Sequence, residues 1–292
     1  CDKIDMQFGS GVIFTMKTIK VMTAVLLGFF SIITVGCSKE LGIQKLSKDQ
    51  EYRATVEKLF TFTPEDPGYY IMQGGYFDGE KFYVAMIKKD SQGYELTKIH
   101  VLDKKGKIIK VSDILELDHA NNITYNSKKK MFLVSHCQSP DDHYYRYSFV
   151  DPDTFEIIET ADLPKPFFAM AYSEGRDMYA SGEWAGETLD IWDGDLNLVK
   201  SVSVEAPGSL SQGVYCDYEY IYFVRSSQNG YQAEIRVYDF DCNLVWAIPL
   251  DVPDGVEPEN INIVKGKTYI MGNDWKNGCG VVYVVHFEEV SK

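Results

Sequence analysis

The chain has little of what motif-borne catalysis needs. It holds only five histidines, His100, His119, His136, His143 and His286. It has no H-E-x-x-H pair, no G-x-S-x-G turn and no G-x-x-x-x-G-K-[ST] loop. Those absences remove the zincin, nucleophile-elbow and phosphate-loop chemistries. No two cysteines stand in a C-x-x-C spacing, so a cysteine zinc site is not expected. Basic residues are scarce, 29 Lys and Arg against 43 Asp and Glu, for a net charge of −14. Such a surface repels phosphate backbones, so no nucleic-acid partner is expected. His136 and His143 bracket Cys137, Asp141 and Asp142, but their irregular loop spacing does not make a metal site. No metal or cofactor is expected elsewhere.

One apolar run is present. Met16-Lys17-Thr18-Ile19-Lys20 is a short basic region, and Val21 to Gly36 follows without a charge. That order is an export signal, and the run is short for a stable membrane span. Val35-Gly36-Cys37 resembles the lipobox of bacterial lipoproteins, with Thr34 where leucine is usual. The resemblance implies cleavage before Cys37, acylation of that residue, and a protein held by lipid on the extracytoplasmic face of the membrane. The expected organisation is an upstream extension over 1–15, a signal over 16–36, a tether over 37–51 and one domain over 52–292. Removing 1–36 leaves 26 basic and 41 acidic residues, a net of about −15. Cys137, Cys216, Cys242 and Cys279 then remain beside Cys37. They read as small buried residues. The alternative is one disulfide, for which Cys216 and Cys242 are the pair, since both fall in one repeat.

The domain repeats itself. Gln73-Gly74-Gly75, His119-Ala120-Asn121, Phe168-Ala169-Met170, Gln212-Gly213-Val214 and Glu259-Asn260-Ile261 recur at steps of roughly 46, 49, 44 and 47 residues. Each repeat reads as four short strands. In the first these are Gly75 to Phe77, Phe82 to Met86, Leu96 to Leu102 and Ile108 to Val111, with turns at Asp78-Gly79 and Asp103 to Gly106. The later second strands are Met131 to Val134, Met178 to Ala180, Tyr220 to Val224 and Thr268 to Met271. The last repeat shows three strands, and Val56 to Phe62 is the natural donor of the fourth. The fold class is therefore all-β, a five-bladed propeller closed by an N-terminal strand.

At Gln73-Gly74-Gly75, His119 to Asn126, Gln212 to Asp217 and Glu257 to Ile261 the chain resembles a group of exported Gram-positive five-bladed β-propellers, largely uncharacterised. More distantly it is similar to helveticin-like and teichoic-acid-associated propellers. The likeness spans about residues 55–288 and carries over no catalytic residues.

In a propeller the first strand of each blade faces the axis. Gln73, His119, Asn121, Gln212, Glu259 and Asn260 are therefore expected around one mouth of the channel, as donors and acceptors for a ligand or for backbone and water. Glu183, Glu187, Glu257 and Glu259 are the carboxylates available for paired acid chemistry. Tyr69, Tyr70, Tyr144, Tyr145, Trp184, Tyr231 and Trp275 fall between strands and read as exposed loop aromatics, whose faces stack on sugars or pin loops. The reading these residues support is a non-catalytic binding module for a glycan, wall polymer or protein. The alternative is a propeller enzyme, a cyclase, lyase or glycoside-acting catalyst, at the same mouth.

Overall fold

A computed structural model describes residues 42–137, 144–205 and 208–290. The stretch read from the sequence as an export signal, Cys37, Asp141, Asp142 and His143 lie outside them. The first blade contains β2 (Ile71–Phe77), β3 (Phe82–Lys89), β4 (Glu95–Leu102) and β5 (Ile108–Val111). The second contains β6 (Asn122–Asn126), β7 (Met131–Ser135), β8 (Arg146–Val150) and β9 (Ile157–Asp162). The third contains β10 (Ala169–Ser173), β11 (Met178–Gly182), β12 (Thr188–Asp193) and β13 (Leu198–Ser203). The fourth contains β14 (Leu210–Cys216), β15 (Tyr220–Ser226), β16 (Glu234–Asp239) and β17 (Leu244–Asp251). The fifth contains β18 (Val256–Val264), β19 (Lys267–Asp274), β20 (Cys279–Glu289) and, outermost, β1 (Tyr52–Phe62). The chain is thus a five-bladed propeller of antiparallel four-stranded sheets.

The strands form where apolar and β-branched residues run between aspartate turns. Asp78, Asp103, Asp151, Asp193 and Asp217 each accept two downstream backbone amides on one carboxylate oxygen. Those bonds fix the hairpin bends and occupy the carboxylates that a calcium loop would need. The turns close with Gly106, Phe155, Leu196 and Cys242 at positive φ.

β1 closes the ring. It pairs antiparallel with β20 from Tyr52↔Glu289 to Phe62↔Gly280. It also meets β17 in parallel at Ala54↔Leu250 and Thr55↔Asp251, which joins the fourth and fifth blades. Phe62 lies across Gly280, where a Cβ would collide with its ring. Upstream of β1, Ile43 and Leu46 are buried in the seam between those two blades.

The core lies in the seams between adjacent blades. Phe132 and Val134 face Tyr83, Ile99 and Val101. Trp192 and Tyr179 face Leu133, Tyr147 and Phe149. Phe223 and Ile221 face Ala171, Ala180 and Ile191. Phe77 and Phe82, stacked at 3.9 Å, face Met271 and Val282. Each large buried side chain contributes roughly 1.5–3 kcal/mol of transfer free energy. Cys137, Cys216, Cys242 and Cys279 are free thiols. One expectation about the loops needs correction. Tyr69 is fully buried beneath the ammonium groups of Lys88 and Lys98, at 4.6 and 4.8 Å from its ring. Tyr70, Tyr145, Trp184, Tyr231 and Trp275 are exposed.

Candidate functional site

The five innermost strands, β2, β6, β10, β14 and β18, run in the same sense along the axis. Three of them bulge where the sequence repeats. Pairing with the neighbouring strand breaks between Met72 and Gly75, between Ser211 and Val214, and between Pro258 and Asn260. A bulge bends a strand and re-aims its side chains. Here the bends bring the inner strands against each other. A Cβ on Gly74 would collide with the Ala120 carbonyl oxygen, and one on Gly213 would sit 2.6 Å from that of Glu259. Glycine at those two positions is what lets the backbones approach.

At the level where the inner strands begin, a polar cluster forms. Gln212 donates to the Ser226 hydroxyl at 3.0 Å and to Glu257 at 3.1 Å. The Trp275 indole donates to the other Glu257 oxygen at 2.7 Å. Asn273 donates to Glu259 at 2.8 Å and exchanges two bonds with the Met72 backbone, tying the fifth blade to the first. Burial raises the Glu259 carboxyl well above its ordinary value, and the adjacent Glu257 carboxylate pushes it further. Burial therefore favours the protonated form of Glu259, next to the half-buried Glu257.

The middle of the axis is bridged by asparagines. Asn121 donates to the carbonyls of Phe168 and Gln212, at 3.1 and 3.2 Å. Asn122 donates to the carbonyls of Met170 (2.8 Å) and Val214 (3.2 Å) and accepts from the Val214 amide (3.3 Å) and the Asn260 side chain (2.8 Å). Asn262 bonds Asn260 and, through Gly75 and Phe77, the first blade. With the Gly74 amide on the Ala120 carbonyl, this network reaches all five blades and nearly closes the channel. All four asparagines are buried.

At the far end the axis opens into a cup of about 360 Å³. Tyr76, Tyr125, Tyr172 and Tyr215 line it, each from the end of a different inner strand. The fifth blade has Ile263 at the matching position. Tyr76 and Tyr125 lie 6.0 Å apart. Glu174 and Asp217 stand on the rim. Burial, reinforced by Asp78 and Asp217 respectively, raises the phenols of Tyr76 and Tyr215, so both stay protonated and neutral.

The residues singled out from the sequence occupy different levels. Gln73, Gln212 and Glu259 are buried where the inner strands begin, and Asn121 and Asn260 belong to the asparagine bridge. His119 is brought instead to Glu95 of β4, at 2.8 Å. Its neighbour Asp118 bonds His136 at 2.8 Å, and His136 bonds Ser148 at 2.8 Å. That Asp–His–Ser order has the form of a nucleophile relay. Ser148, however, has no exposure to solvent and is tied onward to Thr160, so it cannot reach an acyl group. The relay fastens the β5–β6 connection to the second blade. Among the described residues no group of three or more His, Cys, Asp or Glu is placed to hold a metal ion.

The tyrosine cup escaped the sequence reading, as did Asn122 and Asn262. A signal for the cup was present. Tyrosine recurs at 76, 125, 172 and 215, three residues beyond 73, 122, 169 and 212.

No protein-family model matches the chain, and no curated protein matches it. Solved structures match the fold. The glutaminyl cyclase of Myxococcus xanthus superposes with a TM-score of 0.59 at 13% identity, over 83% of this chain and 100% of that one. The tail fibre of Staphylococcus aureus phage P68 gives 0.55 at 13% identity, over 85% of this chain and 55% of that one.

Proposed function

We propose that the chain is a non-catalytic binding module held outside the membrane by lipid on Cys37. Its ligand, a glycan, wall polymer or protein segment, seats in the tyrosine cup. The observation that carries this is the pairing of an open aromatic cup with an axis braced behind it by asparagine amides. The wall is preorganised, so little ordering cost falls on binding. In this reading Asn121 and Asn260 act as stays behind the cup. Gln73, Gln212 and Glu259 support the opposite mouth, and His119 anchors a loop. The test is a screen of the full chain against wall polymers, glycans and cell-surface proteins, with Tyr125→Leu in parallel. Binding lost in the variant is the expected result. A parent that binds nothing, or a variant that binds equally, overturns the reading. Anchoring is tested separately, by whether Cys37→Ser moves the protein out of the membrane fraction. The resemblance to exported Gram-positive propeller lipoproteins belongs to the same proposal.

One observation favours a second reading. Glu259, whose carboxyl burial raises well above its ordinary value, lies beside Glu257, to which the exposed Trp275 indole donates, and the pair supplies a proton donor next to an acceptor. The fold match to a glutaminyl cyclase spans that protein's whole length. In ring closure of an N-terminal glutamine, the α-amine attacks the side-chain carbonyl and ammonia leaves. A carboxyl pair can take one proton and return another. Ammonia release from a glutaminyl peptide, abolished by Glu257→Gln, would establish this reading. No release from that peptide would remove it.

A further inference from the structure

We propose that the tyrosine cup recognises an organic ammonium group, carried on whatever ligand the module binds. The inference rests on the binding reading above and adds the chemistry of the recognised group. Four observations carry it.

The first is composition. The cup is lined by five tyrosines (the four on the inner strands and Tyr218), Glu174 and Asp217, with no lysine or arginine among its lining residues. An anionic ligand has nothing to pair with there.

The second is that the nearby cations already have partners. Lys128 bonds the Asp177 carboxylate at 2.5 Å. Arg176 is held at the edge of the cup, where it donates to the carbonyl of Tyr218, a lining residue, and its guanidinium lies 4.9 Å from the Tyr218 ring centre and 4.4 Å from that of Phe240.

The third is unused hydrogen-bonding capacity. Tyr172 donates to Asp177, and both carboxylate oxygens of Asp217 are filled by Gln44, Tyr222 and two backbone amides. Among the described residues, the hydroxyls of Tyr76, Tyr125 and Tyr215 have no hydrogen-bond partner, and the Glu174 carboxylate has neither a hydrogen bond nor an ion pair. Three oxygens that accept, beside one uncompensated negative charge, suit a donor-rich cation. The phenols of Tyr76 and Tyr215 remain neutral, because burial raises them above the ordinary phenol value.

The fourth is the rings themselves. Aromatic faces attract ammonium groups within about 6 Å of their centres. Tyr76 and Tyr125 stand 6.0 Å apart as adjoining walls. A neutral sugar would also find aromatic surface, but it would leave the charge of Glu174 unanswered.

Calorimetric titration of the full chain tests this, with choline and n-butylammonium as probes. Controls are 3,3-dimethylbutanol, the uncharged analogue of choline, and a set of neutral oligosaccharides. The expected result is binding of at least one ammonium and none of 3,3-dimethylbutanol. The affinity should fall about fivefold or more in Glu174→Gln and with added salt. Glu174 is exposed, so that variant keeps the fold. Tyr125→Leu should abolish binding, with its circular dichroism checked against the parent. Equal binding of the uncharged analogue, or an affinity unchanged in Glu174→Gln, overturns the inference. Neutral oligosaccharide bound in a Tyr125-dependent way, without either ammonium, overturns it and leaves the binding reading intact. A chain that binds none of these, and nothing in the wider screen, sinks both.

Discussion

Replacing Asn122 by leucine isolates the asparagine bridge. The two side chains share a branched skeleton of four heavy atoms, but leucine's methyls are bulkier than the amide, so the change removes polarity and adds overpacking in the same direction. Asn122 makes four hydrogen bonds, to Met170, to Val214 twice and to Asn260, and is itself fully buried. Leucine strands all four partners in a place water does not reach. An orphaned buried group costs roughly 1–3 kcal/mol. The two carbonyls each keep a second lone pair, which puts them at the low end. The sum is about 5 kcal/mol, a large part of the 5–15 kcal/mol typical of a whole domain. For a domain of this size each kcal/mol lowers Tm by roughly 2–4 °C, so thermal melts followed by circular dichroism should drop by about 15 °C. Asn121→Leu strands only two carbonyls and should lower Tm by about 6 °C on the same scale. A drop under about 3 °C for Asn122→Leu would show that the bridge does not hold the blades together, and the argument for a braced cup would go with it.

Other outcomes follow from separate features. Gly213→Ala pushes a Cβ against the Glu259 carbonyl in a packed region and should cost about 1–3 kcal/mol by urea unfolding, with an unchanged midpoint as the contrary result. Removing residues 52–62 unpairs β20 and exposes Phe82 and Val282. The shortened protein should lose its cooperative melt, and a Tm equal to the parent's would refute ring closure by β1. Burial in the folded state raises the Glu259 carboxyl well above the ordinary 4.5. The stability this lends is full below about pH 4.5 and is lost as pH rises through the folded value. Glu259→Gln should therefore flatten the dependence of Tm on pH above about 4.5, whereas parallel curves would contradict the assignment. Site-resolved labelling with a thiol reagent should modify Cys279 before Cys137 and Cys216, whose thiols are buried and raised well above their ordinary value.

The blade count, the strand order and the closure by Val56 to Phe62 were legible because they rest on local signals. Aspartate turns and alternating apolar runs declare a hairpin wherever they occur, and five copies declare a ring. The level at which each marker sits was not legible. Glu259 and Asn260 are adjacent in sequence, yet a bulge sends one to a carboxyl pair and the other to the axis. His119 and Asn121 part in the same way, because Asp118 and Ala120 take positive φ and turn the chain between them. Side-chain direction at a bulge depends on torsions that residue type alone does not declare. The tyrosine cup failed to register for the opposite reason. Tyrosine is common in strands, with 20 in this chain, so a run of four at one repeat position was hidden among residues expected in any sheet.

The closure by β1 also sets an order of events. Its partner β20 lies more than 200 residues downstream by the Glu57↔Val284 pairing, so the first strand of the domain must wait for nearly the whole chain. Until then an eleven-residue strand, Tyr52–Phe62, stands with a bare edge and Phe60 and Phe62 uncovered. The first four blades can form as neighbours arrive, each hairpin being local. The fifth cannot, and the ring stays open until the final strand is delivered. Long-range pairing of this kind is slow, and a waiting edge is where one chain joins another. For this molecule the hazardous interval is the last one, when four blades are built and the fifth lacks its closing pair.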